Sequence, residues 1–178
     1  AYLLLIIDSI NKNDFKKTNK YLNNLPKFSG KDTHNLIIYE SIKNYNFLFE
    51  NKRMPSNDSV FNNLSLISMA FQSCYLGEKQ TQSYFDNLIH NNEIDYSRYI
   101  FFYINNLIEQ SKFQMAKDTA DQIDFLNSSL LIMQTKNWID NKKLEKFTEI
   151  FSCKSESNIL SEFFYLIASL YSSQNDFE

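Results

Sequence analysis

Apolar residues recur every three or four positions along most of the chain, and short polar breaks separate the runs. This spacing places apolar side chains on one face of an α-helix. The pattern predicts about nine or ten helices, each too short to be stable alone in water. In chain order they cover approximately residues 2–10, 15–25, 33–50, 60–76, 80–90, 96–110, 113–126, 128–139, 144–151 and 158–172.

The polar breaks recur at a regular interval. Helix-ending turns are predicted at Asn13, Gly77, Ser111, Asn141 and Asn175, and the last four lie 34, 30 and 34 residues apart. The first gap is 64 residues, close to two such intervals. A period near 34 residues with two helices per period is typical of stacked helical hairpins.

Particular residues within these periods resemble the tetratricopeptide repeat family, in a form similar to divergent bacterial members. Its unit places aromatic, aliphatic, small and aromatic residues on the first helix, then a turn, then an aromatic and a small residue. The matches are Phe164, Ile167, Ala168 and Tyr171 before Asn175-Asp176-Phe177; Ile100, Tyr103, Ile104 and Leu107 before Ser111, Phe113 and Ala116; and Tyr2, Leu5, Ile6 and Ser9 before Asn13-Asp14-Phe15 and Thr18.

The resemblance implies a right-handed α-α superhelix built from helical hairpins, with a concave face lined by the first helix of each hairpin. We expect residues 1–178 to form a single helical-repeat domain that is a fragment of a longer protein. Residues 27–57 depart from the repeat and predict an irregular insert of one long helix and a Pro-containing loop.

Carried over position by position, the resemblance also implies a protein-binding surface on three first helices. Residues three or four apart share a helix face. The outward-facing candidates are Arg98, Phe101 and Asn105, then Ile132 and Lys136, then Glu162, Tyr165 and Ser169. The alternative is that they form an ordinary solvated or self-packed face.

The amino-acid composition also favours helices, and the distribution of charge bears on which kinds of partner the chain could bind. Two glycines and two prolines are too few for the tight turns of a β-rich fold of this length. The net charge of −3 comes from interspersed charges without a basic stripe, so we expect no nucleic acid partner. No apolar run is long enough to span a membrane. The pair Lys52-Arg53 predicts an exposed turn.

The sequence offers little catalytic chemistry. Cys74 and Cys153 lack the spacing of a zinc site, and each is predicted to be a small buried apolar residue. The sequence does not decide whether the two form a disulfide. It also leaves both a cytoplasmic and a periplasmic location open. The two histidines, His34 and His90, are expected at the surface or at helix ends. We therefore predict no enzyme activity, no cofactor and no metal.

These patterns favour a scaffold or adaptor module that binds a protein or peptide in its concave groove. Two alternatives remain open at this point. The chain could be a helical accessory domain of a larger enzyme, or an array that assembles with copies of itself. The identity of the partner cannot be read from the residues.

Overall fold

A computed structural model describes residues 2–25, 33–55, 62–89, 97–122, 130–141 and 145–173. Every regular element in these ranges is an α-helix, which confirms the all-α prediction for them. The helices are α1 (Tyr2–Asn11), α2 (Phe15–Asn23), α3 (Thr33–Asn51), α4 (Asn62–Leu76), α5 (Thr81–Ile89), α6 (Ser97–Glu109), α7 (Phe113–Gln122), α8 (Leu130–Asp140), α9 (Glu145–Phe151) and α10 (Glu156–Ser173).

Each predicted helix has a counterpart at nearly the predicted position. The long helix of the insert is α3, and the exposed turn predicted at Lys52-Arg53 follows it directly. The predicted turn at Asn175 lies outside the described residues. The chain divides into two compact units, Ala1–Ser65 with Ile159–Glu178, and Leu66–Asn158.

The first unit begins with a helical hairpin of α1 and α2. Its two helices meet through small polar residues, since the Ser9 and Thr18 hydroxyls lie 2.8 Å apart and both residues are buried. Asp14 is the N-cap of α2, and its carboxylate accepts a hydrogen bond from the Lys17 amide at 3.1 Å. An N-cap of this kind satisfies one of the amides that a helix start leaves without a partner.

Helices α3 and α10 supply the aromatic core of the first unit. The rings of Tyr45 and Phe49, one turn apart on α3, are stacked 5.9 Å apart. Tyr45 also meets Phe163 of α10 edge to face at 5.9 Å. Asn46 on α3 donates a hydrogen bond to the side-chain carbonyl of Asn19 on α2 at 2.8 Å, which fixes the two helices together.

The second unit has an aromatic cluster around Phe71 of α4. The Phe71 ring meets Phe85, Tyr99 and Phe102 edge to face at 6.2, 6.0 and 4.7 Å. Tyr103 stacks on Phe85 at 5.2 Å, and its hydroxyl donates to Asp86 at 3.0 Å. Burial raises the pKa of Tyr103, and the Asp86 carboxylate adds to this effect.

Helix α6 is the central helix of this unit. It packs against α5, α7 and α9, and residues 101–108 are all buried. A helix that is covered on every side belongs to the interior of a fold. Phe151, the last residue of α9, lies on it with its ring 5.1 Å from that of Phe101 and 5.6 Å from that of Phe102.

A disulfide between Cys74 and Cys153 joins the last turn of α4 to the segment after α9. The two Cα atoms are 5.9 Å apart, a usual separation for this bond. Both cysteines are fully buried, as predicted, but they form a covalent crosslink rather than act as two independent small apolar residues. The crosslink connects positions 79 residues apart in sequence.

Three helices end in the same kind of turn. In each, a residue one or two positions past the end of the helix has a positive φ, 55° for Asn13, 74° for Gly77 and 59° for Ser111. Its amide bonds the carbonyl three residues back, and the next amide bonds the carbonyl five residues back from itself, a Schellman motif. The pairs are Asn13–Ile10 and Asp14–Ser9, Gly77–Cys74 and Glu78–Ser73, and Ser111–Ile108 and Lys112–Leu107.

These turns confirm three of the breaks predicted from the sequence. Asn141, a fourth, directly follows α8. None of the described helices is both long and apolar enough to cross a membrane.

Candidate functional site

A polar cleft of about 530 Å³ lies in the second unit, beside two of the positive-φ turns. We call it the turn cleft. The α4–α5 turn and the start of α5 contribute Gly77, Glu78, Lys79, Thr81 and Gln82. The end of α6, the residues after it and the segment after α9 contribute Asn106, Glu109, Gln110, Lys112 and Lys154. This volume is within the range of small-ligand and peptide-side-chain pockets.

Asn106 is the most deeply buried amide of the turn cleft, with 4% of its surface exposed. Its side-chain carbonyl accepts a hydrogen bond from the Gln110 amide at 3.2 Å. Its own amide nitrogen makes no hydrogen bond to the described residues. A side-chain amide carries two N–H donors, so Asn106 has donor capacity left for a ligand acceptor or for water.

Lys154 joins the disulfide to the end of α4. Its ammonium group donates hydrogen bonds to the main-chain carbonyls of Cys74 and Tyr75, the second at 3.0 Å. These carbonyls lie in the last turn of the helix, which carries partial negative charge. Partial burial lowers the pKa of Lys154, and the Glu109 carboxylate opposes this shift. A Cβ added to Gly77 would lie 3.2 Å from Lys154 Nζ.

The Glu109 carboxylate is already engaged by the chain. Its Oε1 accepts hydrogen bonds from the Asn105 amide at 2.9 Å and from the Ser152 hydroxyl at 3.1 Å. Two donors on one carboxylate oxygen fix the position of the side chain. Glu109 therefore connects α6 to the segment after α9 as a structural contact.

Two other charged side chains of the cleft are exposed cations. Lys79 and Lys112 both face solvent and make no ion pair with the described residues. They lie near the one remaining carboxylate of the lining, that of Glu78. On a chain whose net charge is −3, this leaves a local excess of positive charge at the turn cleft.

Three of the predicted binding residues are not outward-facing. Phe101, Asn105 and Glu162 have 3%, 0% and 2% of their surface exposed, so the prediction that they face solvent is wrong. The cause is plain for the first two. Phe101 is covered by Phe151, and Asn105 binds Glu109, which in turn binds the segment after α9. The expected groove face of α6 is thus covered by the chain itself.

The other predicted binding residues are either at least partly exposed or have side chains outside the described set. Tyr165 is half exposed, and Ser169 is exposed and donates to the Tyr165 carbonyl at 2.9 Å. Lys136 lies 3.2 Å from Asp121, with 18% of its side chain exposed. Arg98 lies in α6 and Ile132 in α8, but their side chains are outside the described set, as are the side chain of His34 and all of His90.

Sequence reasoning missed the turn cleft. It selected residues by their place in the middle of the first helices, whereas the cleft lies at the helix ends. A usable signal was present, because Gly77 and Ser111 are separated by one repeat period and polar residues follow both. Gly77 and the residues on either side of Ser111 line the cleft.

Among the described residues, no three His, Cys, Asp or Glu side chains lie close enough together to hold a metal ion. Comparisons with protein-family models, with curated proteins and with solved structures find no match to this chain.

Proposed function

We propose that this chain is a helical-repeat module of the tetratricopeptide type that binds a protein or peptide partner, and that it is not an enzyme. Two features support the repeat assignment. Three helices close with the same turn, and two of these turns are one period apart. The right-handed superhelix implied by the family belongs to the same proposal.

The observation that carries the binding role is the buried Asn106 amide in the turn cleft. Its free donor capacity faces a polar space bordered by Gln82, Gln110 and Lys112. Side-chain amides both donate and accept, which matches the alternating N–H and C=O groups of a peptide main chain. The one hydroxyl of the lining, on Thr81, is held by Ser73 at 2.9 Å and by the Glu78 carbonyl at 2.8 Å, so it is engaged in structure.

The residues that the sequence predicted to line a binding groove have other roles under this proposal. Phe101 and Asn105 stabilise the second unit from within, and they are unsuited to direct contact with a partner. Tyr165 and Ser169 are accessible, but they belong to the first unit and do not line the turn cleft. We therefore place the binding role at Gln82, Asn106, Gln110 and Lys112.

The test is a selection from a displayed random-peptide library against the whole chain. Selected peptides are then measured by calorimetry on the wild type, on Gln110→Ala/Lys112→Ala and on the control Gln122→Ala/Lys16→Ala. All four residues are exposed, so both variants should fold normally by circular dichroism. We expect binding to weaken about tenfold or more only in the cleft variant. Equal binding by all three proteins, or no enriched peptide, would refute the proposal.

A further inference from the structure

The charges of the turn cleft indicate which kind of peptide it suits. Its lining holds three lysines and two glutamates. The Glu109 carboxylate is held by Asn105 and Ser152, and the Lys154 ammonium by two carbonyls. Lys79 and Lys112 keep their charges exposed and without ion pairs in the described part of the chain.

We infer that the turn cleft binds an acidic peptide segment, with Asn106 donating to a main-chain carbonyl of the peptide and Lys79 and Lys112 pairing with its carboxylates. This inference deepens the proposed function and rests on it. The protein carries net negative charge, so most of its surface repels carboxylates. Exposed lysines at the cleft make this the place where a carboxylate is attracted instead.

Asn106 provides a second line of evidence for a binding site, and this evidence does not depend on charge. It is almost entirely buried, yet its amide nitrogen has no protein acceptor. The nitrogen is not among the side-chain atoms that are shut off from solvent without a hydrogen bond, so it is open to the cleft, which Asn106 lines. Gln110 donates to the Asn106 carbonyl at 3.2 Å, and in this arrangement the Asn106 nitrogen is the end of the amide without a protein partner.

A nucleic acid is the less favoured occupant. Its backbone repeats a negative charge at every nucleotide and needs a long basic stripe, whereas the cleft offers two exposed lysines with Glu78 beside them. An acidic peptide with well-separated carboxylates fits this limited charge better. Its main chain also offers the acceptor that Asn106 requires.

The test measures fluorescence anisotropy of labelled probes on the whole chain at low and high salt. The probes are a peptide alternating glutamate and serine, the same peptide with glutamine in place of glutamate, a lysine version, and an oligothymidylate. We expect the glutamate peptide to bind, with affinity falling at high salt. The glutamine peptide should bind about tenfold or more weakly, and the other two probes not at all.

Two charge-reversed variants locate the site. Lys79→Glu/Lys112→Glu reverses the cleft lysines, and Lys16→Glu/Lys20→Glu makes the same change in net charge on exposed residues of α2. Only the first should weaken binding of the glutamate peptide, by about tenfold or more. An equal effect of both variants would show a general charge effect and overturn the inference.

A third measurement addresses Asn106 directly. In a nitrogen-15 spectrum, the glutamate peptide should shift the side-chain NH2 signals of Asn106 and leave those of Asn87, an exposed amide on α5, in place. Unchanged Asn106 signals at saturation would overturn the inference. If library peptides bind the cleft but the glutamate peptide does not, the acidic assignment fails and the proposed function stands. Preferred binding of the oligothymidylate would also overturn it.

Discussion

Asn13, Lys52 and Ser111 each hold a positive φ just past the end of a helix, Lys52 directly after α3, and Asn13 and Ser111 two residues after α1 and α6. A side chain in this conformation crowds its own backbone, which is why glycine is favoured there. Gly77 occupies the equivalent place after α4. Four different residues thus hold a positive φ after a helix, and among them glycine alone has no side chain to crowd the backbone.

Exchanging residues between equivalent turns tests this strain. Gly77→Ser should lower the free energy of unfolding by about 1 kcal/mol, because serine is strained at the positive φ that glycine holds freely. Ser111→Gly should raise it by a few tenths to about 1 kcal/mol for the same reason. Urea unfolding monitored by circular dichroism measures both. Loss of stability in both variants would show that the two turns are not equivalent.

Asp14 gives the first hairpin a pH dependence. Hydrogen bonds from the side chain and the main chain of Lys17 hold the pKa of Asp14 below its usual value of 3.8. A carboxyl whose pKa is lower in the folded state stabilises that state most when it is charged. Its contribution is therefore complete above the unfolded pKa and is lost as the pH falls through the lower folded pKa.

Asp14→Asn is the matching variant, since asparagine also caps helices but does not titrate. Stability of the wild type should fall more steeply than that of Asp14→Asn as the pH decreases below about 4. Thermal melts across this pH range measure the difference. Parallel curves for the two proteins would show that the carboxylate makes no pH-dependent contribution.

At the scale of helices, α9 has only seven residues, yet it and the segment after it contact both α6 and α4. Phe151 covers two rings of α6, and Ser152 and Cys153 continue the contact toward α4. This short helix and the segment after it cover the face of α6 that the repeat pattern assigned to a groove. The face that the repeat pattern predicted to be open to a partner is therefore part of the core of this unit.

Truncating Phe151 should destabilise the second unit strongly. Phe151→Ala removes a ring that is 3% exposed, and we expect a loss of about 3–5 kcal/mol. Its neighbour Ile150 is 54% exposed, so Ile150→Ala should change stability by no more than about 0.5 kcal/mol. Chemical unfolding of both variants provides the comparison. A small effect at Phe151 would contradict the described contact with α6.

The sequence predicted the helices well because their signals are local. Apolar spacing and turn residues such as Gly77 lie within a few positions of the structure they specify. It failed for Phe101 and Asn105 because their burial depends on Phe151 and Ser152, more than forty positions away in the chain. Glu162 was misjudged for a different reason, because a charged residue is expected at the surface, whereas this one is 2% exposed.

At the scale of the whole molecule, the Cys74–Cys153 bond is the main long-range constraint that the sequence left open. It joins two positions 79 residues apart, and closing a loop of that size restricts the unfolded chain. Crosslinks of this kind are common in proteins of oxidising compartments.

The bond should contribute substantially to stability. From the loop length, we expect its removal in Cys74→Ser/Cys153→Ser to lower the free energy of unfolding by roughly 4 kcal/mol. Urea unfolding measures this, and alkylation of the unreduced, unfolded wild type should label no cysteine. Labelling of both cysteines would show that the bond is absent from the purified protein.

The same crosslink also sets how the chain would respond to mechanical force. If the two ends of the chain were pulled apart, the stretch between Cys74 and Cys153 could not lengthen, because the load would pass through the sulfur atoms. The unravelled molecule would be shorter by roughly 270 Å than a chain without the bond. A tether attached outside this stretch would therefore leave most of the second unit shielded from tension.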